Sequence, residues 1–383
     1  MANNDRLAVL HIISGGDIGG AMVHVINLLK KLKDKIDIKL VTFMEGEFTK
    51  AARNAGIDLT VLAQKSRADM SPIKSLKDIA ASKNCRIIHC HGARANFMGA
   101  RLKKKLADPK YKFITTMHSD YLLDFKGNFF KNIVYTNLNY LSLRHFDYYV
   151  GVSEYFRDML IERGFPAEKI FYVYNGIDFE SGSSVTLTKE QFCAKHKLPF
   201  DENFTYVGIL ARIDRVKGHE YFIRAACEAL KKNDGLRFVL AGNGEDFEMI
   251  KSLASELGIA DKVFFLGFIK EKFNFLNAID INVLTSLSES FPFTLLEGAL
   301  LKKATISSDV GGIKKLIIDG NTGLLFESKN YAQLAEKILE LADDKQKAKL
   351  LGENLYDYAK EQFSIDAMAD AQLAIYKKIL TDA

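Results

Sequence analysis

Apolar residues in the first half of the chain fall into short, nearly unbroken runs, set between longer stretches in which they recur every three or four positions. The runs "LAVLHII" (7–13), "IKLVTF" (38–43), "LTVLA" (59–63), "RIIHCH" (86–91), "KFITTMH" (112–118) and "DYYVGVS" (147–153) predict strands. Amphipathic segments such as "AMVHVINLLKKLKD" predict helices between most of them. Apolar strands alternating with helices indicate a parallel sheet covered on both faces. After a polar stretch, "DFESGSSVTLTKEQ" (178–191), the same pattern restarts, with strands predicted at 204–210, 236–241, 263–267, 281–285 and 304–308. From about residue 330 the pattern is helical only, with a break near "EQFSIDAM" where Ser364 is placed to cap the last helix.

Length supports this division, since 383 residues exceed the roughly 250 to 300 at which one core stops growing. The expected fold is α/β, with one doubly wound domain over 1–178 and a second over 179–360. A C-terminal helix, 361–383, is expected to cross back to the first domain. The net charge of +5 arises from 53 basic and 48 acidic residues mixed along the chain, too mild and dispersed to imply a nucleic-acid partner. Cys85, Cys90, Cys193 and Cys227 have no CxxC spacing, so free thiols and a reducing cytosol are expected. The first apolar run, Leu7 to Ile13, ends in glycines and no run approaches 18 residues, so neither a secretory leader nor a membrane span is expected.

In doubly wound sheets ligands bind beyond the carboxyl ends of the strands, which directs attention to the residues that follow each strand. After the first comes "SGGDIGGA", in which Gly15, Gly16 and Gly19 would let a backbone approach an anion at a helix N-terminus. It lacks the dinucleotide spacing, because the second glycine position is filled by Asp17 or Ile18. His118 ends the fifth strand and is followed by Ser119 and Asp120; a histidine there contacts a ligand about as often as it serves structure. His89 and His91 form an H-x-H pair for which no third ligand is apparent, so metal binding is not expected there.

In the second half, "ARIDRVKG" sets Arg212 and Lys217 in a loop after a strand, where two cations suit a diphosphate whose charge grows as it leaves. A solvated charge pair is the plain alternative. Asn243 and Gly244, in "NGED", form a turn on which a flat base could rest. The stretch "SESFPFTLLEGALLKKATISSDVGG" sets Glu289 and Glu297 eight positions apart around a helix with Pro292 in its first turn. The amides of Phe293, Thr294 and Leu295 then face whatever lies beyond the strand, and such a terminus favours phosphate. Two carboxylates bracketing a diphosphate suit the hydroxyls of a sugar and a ribose on either side of it. Two surface glutamates flanking a helix start are the alternative.

Taken with "FDYYVGVSE", "VYNGID", "VFFLG" and "SSDVGGIKKLIIDGNTGLLF", these pieces resemble the retaining glycosyltransferases of family 4, whose E-x7-E signature is similar to "ESFPFTLLE". The resemblance covers nearly the whole chain. It implies the GT-B fold, two Rossmann-like domains facing a central cleft, and transfer from a nucleotide-diphosphate sugar, with UDP the expected nucleotide. Arg212 and Lys217 would hold the donor diphosphate, Glu289 the sugar and Glu297 the ribose. His118 and Gly16 would lie on the first-domain face, and His118, Arg212, Lys217 and Glu289 form the expected catalytic set. Asn243, Gly244, Phe291, Phe293, Thr294 and Leu295 complete the donor contacts, with Gly15, Gly19 and Asp120 on the acceptor side. The sequence departs from the family at Pro292, commonly glycine, and at Lys314 and Lys315, commonly proline and glutamate.

No D-x-D motif is convincingly placed, so no cofactor and no catalytic metal are expected. The acceptor would be a glycan, a lipid-linked sugar or a small molecule, in cell-surface polysaccharide or glycoconjugate synthesis. The aromatic stretch 119–132 would meet a lipid-linked acceptor or pack, and the basic stretch 101–112 would graze an anionic membrane from the cytoplasmic side or remain a solvated face. The competing functions are an epimerase or hydrolase acting on the same donor, and a non-catalytic nucleotide-sugar regulator. An intact set of Arg212, Lys217, Glu289 and Glu297 speaks against the regulator, because a sensor needs affinity without leaving-group stabilisation.

Overall fold

A computed structural model of the chain describes residues 6–16, 19–66, 69–120, 137–180, 182 and 184–381. It divides into two compact units, Met1–Gly176 with Ile365–Ala383, and Ile177–Ser364. The chain thus leaves the first unit at 176 and rejoins it at 365, where the sequence placed these boundaries at 178 and 361.

The first unit holds an all-parallel sheet of β1 (Ala8–Ile13), β2 (Asp37–Thr42), β3 (Leu59–Val61), β4 (Ile87–His91), β5 (Lys112–Met117), β6 (Tyr148–Gly151) and β7 (Ile170–Tyr172). Its order is β3-β2-β1-β4-β5-β6-β7, so the topology reverses between β1 and β4. Alternate residues serve opposite faces, as a strand's period of two requires. Val9, Ile87, Ile114 and Val150 pack with Leu28 and Leu32 of the helix Gly20–Lys35 and with Ile365, Met368, Tyr376 and Ile379 of the helix Ile365–Thr381. Leu10, Ile12, Ile88 and Cys90 pack on the other face with Leu76, Ala95, Met98 and Leu102.

In the second unit β8 (Thr205–Leu210), β9 (Leu236–Ala241), β10 (Val263–Gly267), β11 (Ile281–Leu284), β12 (Ala304–Ser308) and β13 (Leu324–Phe326) form a parallel sheet in the order β10-β9-β8-β11-β12-β13. Here the reversal falls between β8 and β11. Both sheets are doubly wound, as the apolar pattern predicts. The two strands that pattern missed, β7 and β13, are three-residue edge strands. Among the described residues no helix is long and apolar enough to cross a membrane, and all four cysteines are free.

Candidate active site

The loops that follow β8 and β11 meet at the reversal point of the second sheet. Asp214 caps a single 3-10 turn, Arg215–Lys217, by accepting from the Lys217 amide. The next residue, Gly218, has φ +62, and a Cβ there would lie 2.3 Å from the Thr285 carbonyl, so glycine lets the two loops touch. Thr285 Oγ1 donates to the Lys217 carbonyl at 2.9 Å, and the Leu287 amide donates to Val216 O at 2.7 Å. These bonds fix Lys217 opposite Glu289.

Lys217 Nζ and Glu289 Oε1 stand 2.5 Å apart, and Ser286 Oγ donates to the same carboxylate oxygen at 2.6 Å. Glu289 is buried, and its backbone is pressed against Gly311, where a Cβ would come 1.8 Å from the Glu289 carbonyl. Arg212 stands apart from this pair. Its side chain is 79% exposed and pairs with Asp214 at 3.0 Å. The turn after β9 closes beside it: Ile213 donates to Asn243 O at 3.0 Å, and a Cβ on Gly244 would lie 2.0 Å from Ile213 O. Asn243 and Gly244 are exposed there.

The helix that carries Glu297 runs over Phe293–Leu300. Pro292 is its N-cap with ψ 130, not a member of its first turn as expected, because an extended residue must come before the turn begins. Phe293, Thr294 and Leu295 are therefore the first three residues, whose amides precede any intrahelical bond. The Phe291 ring is buried and meets the Phe363 ring at a tilt of 52°, 4.8 Å between centroids, so of the expected donor contact only the backbone of Phe291 could take part.

Glu297 is buried and ion-paired to Lys272, a partner that no periodicity in "FIKEKFNF" signals. Burial pushes the Glu297 carboxyl above its ordinary value, and Lys272 offsets this only in part. An acid whose folded pKa is raised lends stability at low pH and loses it as pH rises through that value, so the ionised form burdens the free protein. Glu297→Gln is expected to melt at or above the wild-type temperature near neutral pH; on the ribose role that the family resemblance implies, it should also bind UDP about tenfold more weakly, the difference between a charge-assisted and a neutral hydrogen bond. Calorimetry with UDP and a melting curve on one preparation check both parts; unchanged affinity removes Glu297 from the ribose.

In the first unit, Gly15 has φ +95 with Met44 O only 2.3 Å from a Cβ built there, and a Cβ on Gly16 would come 2.9 Å from Met44 Sδ. Gly19 is the N-cap of the helix Gly20–Lys35 with φ 75, while Asp17 and Ile18 lie outside the described residues. Asp120, an expected acceptor contact, holds Arg163 through two bonds of 2.7 and 2.8 Å. The stretch 119–132 passes outside the described residues at 121. His118 is half-buried on a pocket of about 250 Å³ whose lining includes Ala21, His91, Asn96 and Asn139.

The sequence offered His89 and His91 without a third histidine; the structure supplies one. In the parallel register His11 on β1 sits beside His89, and Ile13 beside His91. One nitrogen from each of His11, His89 and His91 falls within 4.8 Å of the others. All three rings are buried, and desolvation lowers His11 to about 3 and holds His89 and His91 well below the ordinary value, so all are neutral. Each of their six ring nitrogens has a hydrogen-bond partner: Tyr376, Thr116, His118 or one another.

The family model for glycosyl transferases group 1 matches residues 191–358, and that for glycosyltransferase family 4 matches residues 18–181. An uncharacterized glycosyltransferase of Methanocaldococcus jannaschii is 30% identical over 94% of this chain and 95% of its own. The Campylobacter jejuni N,N'-diacetylbacillosaminyl-diphospho-undecaprenol alpha-1,3-N-acetylgalactosaminyltransferase is 26% identical over 92% of this chain and 94% of its own. Among solved structures, Anabaena HepE in complex with UDP superposes with a TM-score of 0.80 at 20% identity, covering 97% of this chain and all of that one. Two doubly wound parallel sheets, both family models and a relative matched from end to end agree: the chain belongs to the family 4 glycosyltransferases of the GT-B fold.

Proposed function

We propose that this glycosyltransferase transfers a sugar from a UDP-sugar with retention of configuration and without a metal ion, to a glycan, lipid-linked or small-molecule acceptor. The observation that carries the reading is the meeting of Lys217, Glu289 and the N-terminus of the helix Phe293–Leu300 at the reversal point of the second sheet. In the free protein Lys217 and Glu289 neutralise each other. A donor diphosphate would draw Lys217 to itself, joined by Arg212 and the helix amides, and so leave Glu289 to accept from sugar hydroxyls. The bond from the anomeric carbon to the diphosphate then breaks, the acceptor oxygen bonds that carbon on the same face, and the acceptor proton passes to the departing phosphate. Lys217 and Arg212 meet the growing negative charge, which is where a fixed cation accelerates a reaction.

The Campylobacter relative's lipid-linked substrate supports a lipid-linked acceptor. Exposed Arg101, Lys104 and Lys105 on the helix Ala93–Leu106 would suit an anionic membrane at the cytoplasmic face, in synthesis of cell-surface glycans. A thermal-shift screen tests the donor. UDP or the matching UDP-sugar at 100 times its dissociation constant should add about 2.7 kcal/mol of stability, and transfer should continue in excess chelator. Activity lost to the chelator and restored only by manganese or magnesium would overturn metal independence.

A further inference from the structure

Six hydrogen-bonded groups run in a line through the first sheet: Thr116, His89, Tyr376, His11, His91 and His118. Thr116 Oγ1 lies 2.7 Å from His89 Nε2, and His89 Nδ1 lies 2.6 Å from the Tyr376 hydroxyl. That hydroxyl is 3.4 Å from His11 Nε2, His11 Nδ1 is 3.1 Å from His91 Nε2, and His91 Nδ1 is 3.3 Å from His118 Nε2. The first five members are buried, while His118, at the end of the line, is half-buried on the pocket at the carboxyl end of the sheet, whose wall Thr116 and His91 also touch. Tyr376 comes from the helix Ile365–Thr381.

Desolvation keeps every imidazole in the line uncharged. A neutral imidazole has one N–H and one bare nitrogen, so fixing the proton at one junction fixes all the others. The direction is assigned at the Tyr376 junction. At 2.6 Å the contact with His89 is shorter than the range of N–H donors and suits an O–H donor, so the phenol donates to His89 Nδ1. His89 then donates through Nε2 to Thr116. The phenol's one proton being used, His11 must donate to it through Nε2, which leaves His11 Nδ1 bare. His91 therefore donates through Nε2 to His11, and His118 donates through Nε2 to His91.

We infer that the chain Tyr376–His11–His91 holds His118 as its Nε2–H tautomer with Nδ1 bare, making it an acceptor for a substrate hydroxyl and unfit to donate to a phosphate or carbonyl oxygen. His91, His11 and Tyr376 are positioning residues. Only the identity of the hydroxyl, one belonging to the transferred sugar or its acceptor, rests on the transferase reading; the tautomer stands without it. A metal held by His11, His89 and His91 would have to break this chain, since all six of their ring nitrogens are engaged.

The test is long-range nitrogen–proton correlation NMR on histidine-labelled protein, with metal content measured on the same sample and UDP affinity by calorimetry. The wild type should show His118 protonated at Nε2 alone, with no stoichiometric metal. His91→Phe should mix the two His118 tautomers and lower kcat about fivefold, the worth of one neutral hydrogen bond, at unchanged donor KM. His91→Asn, which keeps an acceptor near the place of Nδ1, should restore both the tautomer and the rate. If His91→Phe does not fold, Tyr376→Phe keeps the ring, removes only the phenolic oxygen and should mix the tautomers as well. An Nδ1–H His118 in the wild type, an unmoved tautomer in a folded variant, or one equivalent of zinc would each overturn the inference. Absent UDP binding beside the expected tautomer would instead strike the donor assignment.

Discussion

Alanine at Lys217 or at Arg212 is expected to lower kcat at saturating donor by about 10² to 10³, with a smaller loss of donor affinity. A cation that meets charge appearing only as the glycosidic bond breaks stabilises the transition state more than the bound donor, so turnover suffers more than binding. Because both side chains act on one leaving group, the double variant should fall short of the product of the two singles. The free-state geometry adds a contrast in stability. Removing Lys217 leaves the buried Glu289 with Ser286 but no cation, which should cost roughly 1 to 3 kcal/mol. Arg212 is 79% exposed with Asp214 beside it, so its removal should change stability by less than about 0.5 kcal/mol. Steady-state kinetics with urea titrations of the three variants decide the matter. Wild-type turnover in either single variant would reduce these cations to ordinary loop charges.

Acid should unfold the first unit before its carboxylates protonate. His11 and His24 are lowered to about 3 and about 4 by burial, against an ordinary value of 6.5. The bond between His24 and Asn175 only partly offsets that burial. Below 6.5 the unfolded chain takes up protons that the folded chain refuses, so stability falls with pH at about 1.4 kcal/mol per unit for each histidine. At pH 4.5 the two together should have removed roughly 5 kcal/mol, comparable with the whole stability of many domains. His89 and His91, shifted in the same direction, add to the loss. Circular-dichroism melts from pH 7.5 to 4.5 should show a steep decline starting near 6.5, and His24→Gln should flatten it. A melting temperature that stays level down to pH 5 would mean that these rings are protonated in the fold.

Much of this was legible along the chain, because β1, β4 and β5 are continuous apolar runs and the second sheet repeats them. The residues after β8 and β11 could be singled out because strand ends are where doubly wound folds bind. The pairing of Lys217 with Glu289 could not, since it rests on Gly218 letting two loops touch across 72 positions of sequence. Nor could the histidine line. His11 is 80 positions from His91, and only the parallel register of β1 and β4 makes them neighbours. Lys272 and Glu297 meet between two helices whose relative placement no local pattern encodes.

The return of the chain to its first unit sets an order of events during synthesis. Val9, Ile87, Ile114 and Val150 await apolar partners that lie at 365–379, and residues 177–364 must be made in between. At about 5 to 20 residues per second the ribosome needs roughly 10 to 40 s for that interval. During it one face of the seven-stranded sheet is covered only in part, by Leu28, Leu32 and Ile36, and the apolar area left open is the kind that exposes a nascent chain to aggregation. The second unit can close on itself meanwhile, so the part made later is expected to mature first. Tyr376 arrives with the last helix, and the histidine line is therefore completed only as translation of this stretch ends.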